Sequence, residues 1–274
     1  CQALGFSRKE IARVLYGVEA VEDGWSAGTS NMKDSLRYLI RKAEGLRDGG
    51  YLMELLGSQL GPDLFRKCVK TYLERHRHGN VVTEDLRSII EEHSGRSFDR
   101  FFDQYVFHAH HPELKIAYAW DEKSKLAKIS VQQTQKIGDN VLLFHVPLPV
   151  RFKVDGQAVN HTLPITKLAE DYYFPLAKAP QIVRIDPDLT LLAKITFAPP
   201  TGQLHAQLAD ATDALGRQQA VELLAKRKDK TSVEKLTHVL RNDSFYGVRI
   251  AASRALRGIA TDEATFETAR EFVR

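Results

Sequence analysis

The sequence predicts a multidomain α+β chain: a helical half-domain, an antiparallel β-sandwich, and a repetitive α-solenoid towards the C-terminal end. Three observations carry this. Apolar residues keep helical spacing through residues 1–110, alternation of period two takes over after His111-Pro112, and the helical period returns near Leu204 with an internal repeat. The expected boundaries are 1–112, 113–198 and 199–274, and 274 residues suit two or three domains.

The helical part opens with Ser7 and Glu10, a capping-box pair ahead of Lys9 to about Val18. Met32, Leu36, Leu39 and Ile40 space a second helix, and Tyr51, Leu52, Leu55 and Leu56 a third that stops near Gly61. Pro62 and Asp63 open a fourth, with Leu64, Phe65, Cys68, Val69, Tyr72 and Leu73 inward. Thr83 is the expected cap of a fifth, Glu84 and Asp85 suit its positive first turn, and Gly95 ends it. Ser97 caps a short aromatic helix carrying Phe98, Phe101, Phe102 and Tyr105.

In the β part, Leu114, Ile116, Tyr118 and Trp120 alternate with Lys115, Ala117 and Ala119, a half-buried strand. Ile129 and Val131 continue the pattern. Leu142, Phe144, Val146, Leu148, Val150, Phe152 and Val154 form one long apolar face, bent or placed at an edge by Pro147 and Pro149. Asp155-Gly156 is a two-residue hairpin signal. Ile182 to Ile185 and the stretch from Leu191 complete the sandwich.

In the last part, Arg217, Ala220 and Leu224 are matched 32 residues later by Arg249, Ala252 and Leu256, with Leu240, Asp243, Val248 and Ile259 filling out the second copy. A further start falls at Thr261. The pattern resembles the HEAT repeat, whose Asp and Arg bridge neighbouring helix pairs. Such units must stack to bury their apolar faces.

Composition narrows the function. Hydrophobic residues make up 43% and charged residues 27%, ordinary globular usage. A charge of +4, from 39 basic and 35 acidic residues, is too mild and too dispersed to argue for nucleic acid. Cys1 and Cys68 form neither a disulfide framework nor a metal spacing. No apolar run approaches the roughly 20 residues of a membrane span, so a soluble chain is expected, cytoplasmic or exported with its leader removed. The chain starts at a cysteine and ends at Arg274 within a helical pattern, which reads as a fragment.

A string of short motifs places the chain. Leu60-Gly61, Phe65, Tyr72-Leu73, His78-Gly79-Asn80, Thr83-x-Asp85-Leu86 and Ser94-Gly95-Arg96 are followed by Phe101-Phe102-Asp103-Gln104-Tyr105 and His111-Pro112-Glu113-Leu114. In this order they resemble the helical second half of the catalytic domain of the M1 zinc aminopeptidases. Ile185-Asp186-Pro187-Asp188 before Leu191-Leu192 is similar to the end of that family's β-domain. The resemblance implies a parent that removes N-terminal residues from peptides with zinc held by H-E-x-x-H and a Glu on the next helix. Neither that motif nor G-x-M-E-N occurs in these residues, and both would lie before Cys1. Zinc is thus implied for the parent, while this chain is expected to hold no metal, no cofactor and no catalytic residue.

The family's oxyanion-stabilising tyrosine, in Y-x-K-G-A, is the one element that should fall inside. Without gaps its position is Leu46, with Asp48-Gly49-Gly50 for Lys-Gly-Ala; a small shift brings in Tyr51 or Tyr38. A leucine donates no hydrogen bond, and losing such a donor typically costs about 100- to 1000-fold in rate.

Rival sites have plainer readings. His108, His110 and His111 beside Phe107 resemble a metal cluster but coincide with a structural junction of the family. Arg75-His76-Arg77-His78, with Lys67 and Lys70, reads as a solvated helix C-terminus, where cations suit the dipole. The Asp121, Glu122, Lys123, Lys125 stretch is a turn, the phenylalanines are core, and Cys68 is a buried, unreactive thiol.

Two function classes remain open. One is the non-catalytic C-terminal portion of an aminopeptidase, whose partners are peptides and the remainder of the catalytic domain. The other is an M1-like pseudo-enzyme that binds peptides or proteins on its repeats.

Overall fold

A computed structural model describes residues 50–227 and 229–259. The helices expected before Gly50 and the repeat start at Thr261 lie outside the described residues.

Among the described residues four helices lead: α1 (Gly50–Leu60), α2 (Pro62–Arg75), α3 (Thr83–Ser94) and the single-turn α4 (Asp99–Phe102), which widens into a π-helical turn over Asp103–Phe107. Gly61 takes φ +79° between α1 and α2, and Gly95 takes φ +65° at the end of α3, so each stop falls on a residue that tolerates left-handed backbone. Thr83 is not the cap of α3. It occupies the first helical position, and Asp85 instead reaches back to accept from the Val82 N–H at 2.8 Å. Ser97 is not the cap of α4 either: Phe98 holds that position, and Ser97, two residues before the helix, accepts from the Asp99 N–H at 3.2 Å. Leu55, Phe65, Cys68, Tyr72, Leu86, Ile90, Phe101 and Phe102 face the core as their spacing predicts.

The sandwich has seven strands: β1 (Glu113–Asp121), β2 (Leu126–Gln133), β3 (Val146–Val154), β4 (Gln157–Ile165), β5 (Ala169–Pro175), β6 (Ile182–Ile185) and β7 (Lys194–Phe197). One sheet runs β5-β2-β1-β7 and the other β4-β3-β6. The pairings are antiparallel except β1 with β7, which is parallel from Glu113↔Lys194 to Ile116↔Phe197 because the chain crosses between sheets before β7. Asp155 and Gly156 both adopt positive φ, 48° and 79°, the type I′ turn that matches strand twist.

Pro147 and Pro149 sit in the central strand of their sheet, where proline is normally excluded. The register removes the conflict. β3 pairs with β6 only from Val150 to Lys153, and the Pro149 carbonyl accepting from the Asp186 N–H marks which way these residues point. Successive strand residues direct their backbone polar groups to opposite sides. Both missing N–H groups therefore face the side where β6 has already ended. Locally, β3 is an edge.

The expected strand start at Leu142 moves to Val146, yet Phe144 is fully buried in line with the alternation. Side-chain amides take the place of a ladder here. Gln133 donates to the Phe144 carbonyl at 2.8 Å and accepts from the Phe144 N–H at 3.0 Å. Gln104, from the π turn, does the same for His145, both bonds at 2.9 Å. Gln133 satisfies a buried donor and acceptor, and Gln104 a half-buried pair, that would otherwise be left without a partner. Gln104 thereby fastens helices to sandwich, and one continuous core runs from Leu52 through Phe102 and Phe144 to Leu192.

Four helices follow: α5 (Thr201–Leu208), α6 (Ala214–Ala225), α7 (Lys230–Asn242) and α8 (Tyr246–Ile259). They enclose a separate core of Leu204, Ala220, Val221, Leu224, Leu236, Val248 and Ala252. The α+β class holds, with a sandwich between helical parts.

Candidate functional site

Leu46 and Tyr38 lie outside the described residues. Tyr51 is the second residue of α1, and the placement of its side chain is not described. No catalytic constellation forms around these positions among the described residues.

The histidines at the junction turn to neighbours. His108 Nδ1 lies 3.0 Å from the Asp103 carbonyl and 3.1 Å from its carboxylate. His110, at φ +76°, sets its ring edge-on to His111 at 5.1 Å. Burial, and then His110, push the His111 pKa down, which favours a neutral ring. Among the described residues no group of three His, Cys, Asp or Glu side chains is placed to hold a metal ion. With no H-E-x-x-H in the sequence, these donors do not fit a zinc centre. In the basic run, Arg75 binds Glu92 at 2.5 Å and 2.7 Å, and His76 packs on the Tyr72 ring at 5.3 Å. Cys68 is buried, and burial raises its thiol pKa.

The polar chemistry concentrates where the sandwich meets the repeats. Arg184 on β6 is 3% exposed and pairs with Asp213 at the start of α6, while also donating to Gln219 Oε1 at 2.8 Å and the Pro187 carbonyl at 2.5 Å. Burial draws its pKa down despite Asp213. Asp186 organises the Ile185-Asp186-Pro187-Asp188 turn, accepting from Thr190 N–H at 2.9 Å and Leu191 N–H at 3.0 Å. That motif is therefore a turn that presents a carbonyl to Arg184.

The repeat arginine and aspartate bridge as the resemblance to the HEAT repeat implies. Arg217 meets Asp243 in two bonds, 2.8 Å and 3.1 Å, with side chains only 5% and 6% exposed. Arg217 also donates to the Asp210 carbonyl at 2.8 Å, and Arg249 does the equivalent to the Asp243 carbonyl at 2.7 Å. One repeat earlier, the Asp210 carboxylate receives Lys153 of β3 at 2.5 Å. Lys153 stands to Asp210 as Arg217 stands to Asp243, so the sandwich occupies the place of a preceding repeat. Sequence periodicity could not reveal Lys153, Arg184, Gln104 or Gln133, because their partners are distant in the chain.

Two cavities of about 460 Å³ each flank α6. One lies against Leu191, Ile195 and Phe197 of the sandwich, and the other between α6 and α8, over Ala225, Ala251 and Ala255. Glu222 and Lys226 border both.

Residues 202–272 match the family description "HEAT repeats". Residues 1–56 match "T6SS, Transcription factor, DNA binding domain", a stretch that holds as many acidic as basic side chains and lies mostly outside the described residues. The chain is 26% identical over 246 residues to Aminopeptidase M1-A of Oryza sativa subsp. japonica, covering 80% of this chain and 27% of that protein. It is 21% identical over 258 residues to Transcription initiation factor TFIID subunit 2 of Drosophila melanogaster, covering 84% and 21%. The fold is similar to the crystal structure of Legionella pneumophila aminopeptidase A in complex with aspartic acid, with TM-score 0.62 at 12% identity, covering 82% of this chain and 28% of the other. The chain spans roughly a quarter of the length of these relatives. No described helix is long and apolar enough to cross a membrane.

Proposed function

We infer that this chain, which resembles the C-terminal portion of the M1 zinc aminopeptidases in sequence and fold, is the non-catalytic part of such a protein. In this reading the parent removes N-terminal residues from peptides. Residues 30–110 wall the active-site cavity against the remainder of the catalytic domain, the sandwich spaces the domains, and the repeats restrict access. The observation that carries it is similarity along four-fifths of the chain, 80%, to an aminopeptidase, running through all three successive parts. The boundaries near 112 and 198 belong to the same reading, supported by the starts of β1 at Glu113 and α5 at Thr201.

Zinc analysis of the purified chain and an aminoacyl-anilide assay test it. Neither stoichiometric zinc nor hydrolysis is expected. Either one would overturn the assignment of this chain as non-catalytic.

A second reading has its own support: similarity over 84% of the chain to a transcription initiation factor subunit, and a leucine, Leu46, where a gap-free count puts the family's oxyanion tyrosine, a small shift giving Tyr51 or Tyr38 instead. There the parent is an M1-like pseudo-enzyme, and the repeats bind peptide or protein partners on a concave face. Joining this chain to an active catalytic half of a related enzyme separates the two. Restored hydrolysis favours the first reading. A folded but inactive hybrid that regains activity on Leu46→Tyr favours the second.

A further inference from the structure

We propose that the groove between α6 and α8 is a docking site for an acidic peptide segment of a partner protein, with apolar side chains at its centre. This deepens the second reading above and rests on it.

The outer face of α8 does not bury its large apolar groups. Tyr246 is 63% exposed, Ile250 45%, and the neighbouring Phe245 41%. The Phe245 and Tyr246 rings pack together at 5.0 Å, making a single aromatic ledge. Gly247 makes that ledge possible, since a Cβ there would come within 2.6 Å of the Phe245 ring. Contiguous exposed apolar surface of this kind marks interaction sites, and tyrosine and arginine are the residues that most often dominate them.

Small side chains form the groove floor, and its walls carry Glu222 and Lys226 from the end of α6 against Ile250 and Arg254 from α8. Tyr246, Ile250 and Arg254 stand four residues apart, so they line one helix face, with Arg257 close by. The cations here differ from those of the repeat framework. Arg217 is engaged by Asp243, Arg249 by the carbonyls of Asp243 and Ser244, and Arg227 by the Pro199 carbonyl. Lys226, Arg254 and Arg257 form no ion pair among the described residues, and Glu222 is the one acidic side chain bordering the groove. An apolar trough with excess positive charge complements a segment carrying apolar residues between acidic ones. Glutamates would meet Lys226 and Arg254, while the apolar centre would cover Ile250 and the aromatic ledge.

The test uses the full chain and a fluorescein-labelled peptide with a Leu-Phe centre flanked by glutamate pairs, beside its glutamine counterpart, in fluorescence anisotropy. The acidic peptide is expected to bind more tightly, with affinity falling as salt rises. The double variant Lys226→Glu/Arg254→Glu is expected to weaken it at least about tenfold, and Ile250→Ser by a similar factor. Circular dichroism should stay unchanged, since Lys226 and Arg254 form no ion pair among the described residues and Ile250 is 45% exposed. Binding that survives both variants overturns the groove but leaves the binding reading standing, as does equal affinity for the two peptides. No binding of either peptide overturns both. Self-association that the charge reversal abolishes would assign the face to a second copy and overturn the proposal.

Discussion

Replacing Arg217 by methionine is the sharpest perturbation of the repeat framework. The guanidinium supplies two bonds to Asp243, at 2.8 Å and 3.1 Å, and a third to the Asp210 carbonyl at 2.8 Å. In Arg217→Met the Asp243 carboxylate, 6% exposed, keeps the Phe245 N–H at 2.8 Å and the nearby charge of Arg249 among the described residues. Removing one partner of a buried pair costs about 3–5 kcal/mol, because the other charge stays desolvated. Methionine retains the apolar stem, so packing loss adds little. Replacing both members, Arg217→Met with Asp243→Leu, removes the stranded charge and should recover more than about half of that loss. Hydrogen exchange of α6 and α8 amides is the suitable assay, since it reads the repeats separately from the sandwich. A loss under about 1 kcal/mol for Arg217→Met would place the pair in the range of solvated surface bridges and refute its role as the inter-repeat fastener.

Three further outcomes follow from the same geometry. Gln104→Leu removes the partners of the half-buried His145 N–H and carbonyl, which should cost at most about 1–3 kcal/mol per group; loss of exchange protection at His145 without change at Val150 checks it. Burial alone would raise the Asp210 and Asp243 carboxyls, but bonds from Lys153 and Thr212, and from Arg217 and the Phe245 N–H, outweigh it and hold both below the usual range. A depressed folded pKa gives stability that is present above the unfolded value of about 4 and lost as pH falls through the folded one. Acid titration should therefore loosen α6 to α8 before the sandwich core, as followed by amide exchange at stepwise lower pH. Gly156→Ala strains the type I′ turn and should lower stability by about 1 kcal/mol, visible as a reduced melting temperature.

Much of the fold was legible from local chemistry. Pro62 and Gly95 bound their helices, Asp155-Gly156 forms its turn, and Phe144 to Phe152 alternate as written, since each depends on neighbours within a few residues. The strand β5 escaped notice because only Tyr172 and Phe174 of its side chains read as apolar on one face. Repetition made Arg217 and Arg249 stand out, and the resemblance to the HEAT repeat is what implied a bridge from Arg217 to Asp243.

What the sequence determined by itself was the order of parts, the periods of their elements and the family they resemble, all local or repeated signals. Tertiary structure alone decided the joints. Gln104 and Gln133 stand in for a missing strand, Lys153 of the sandwich stands in for a repeat arginine, and Pro149 is tolerated only because β6 stops short. Each depends on a partner 11 to 57 residues away. No pattern in the chain encodes that distance; the packing of two separately formed layers creates it.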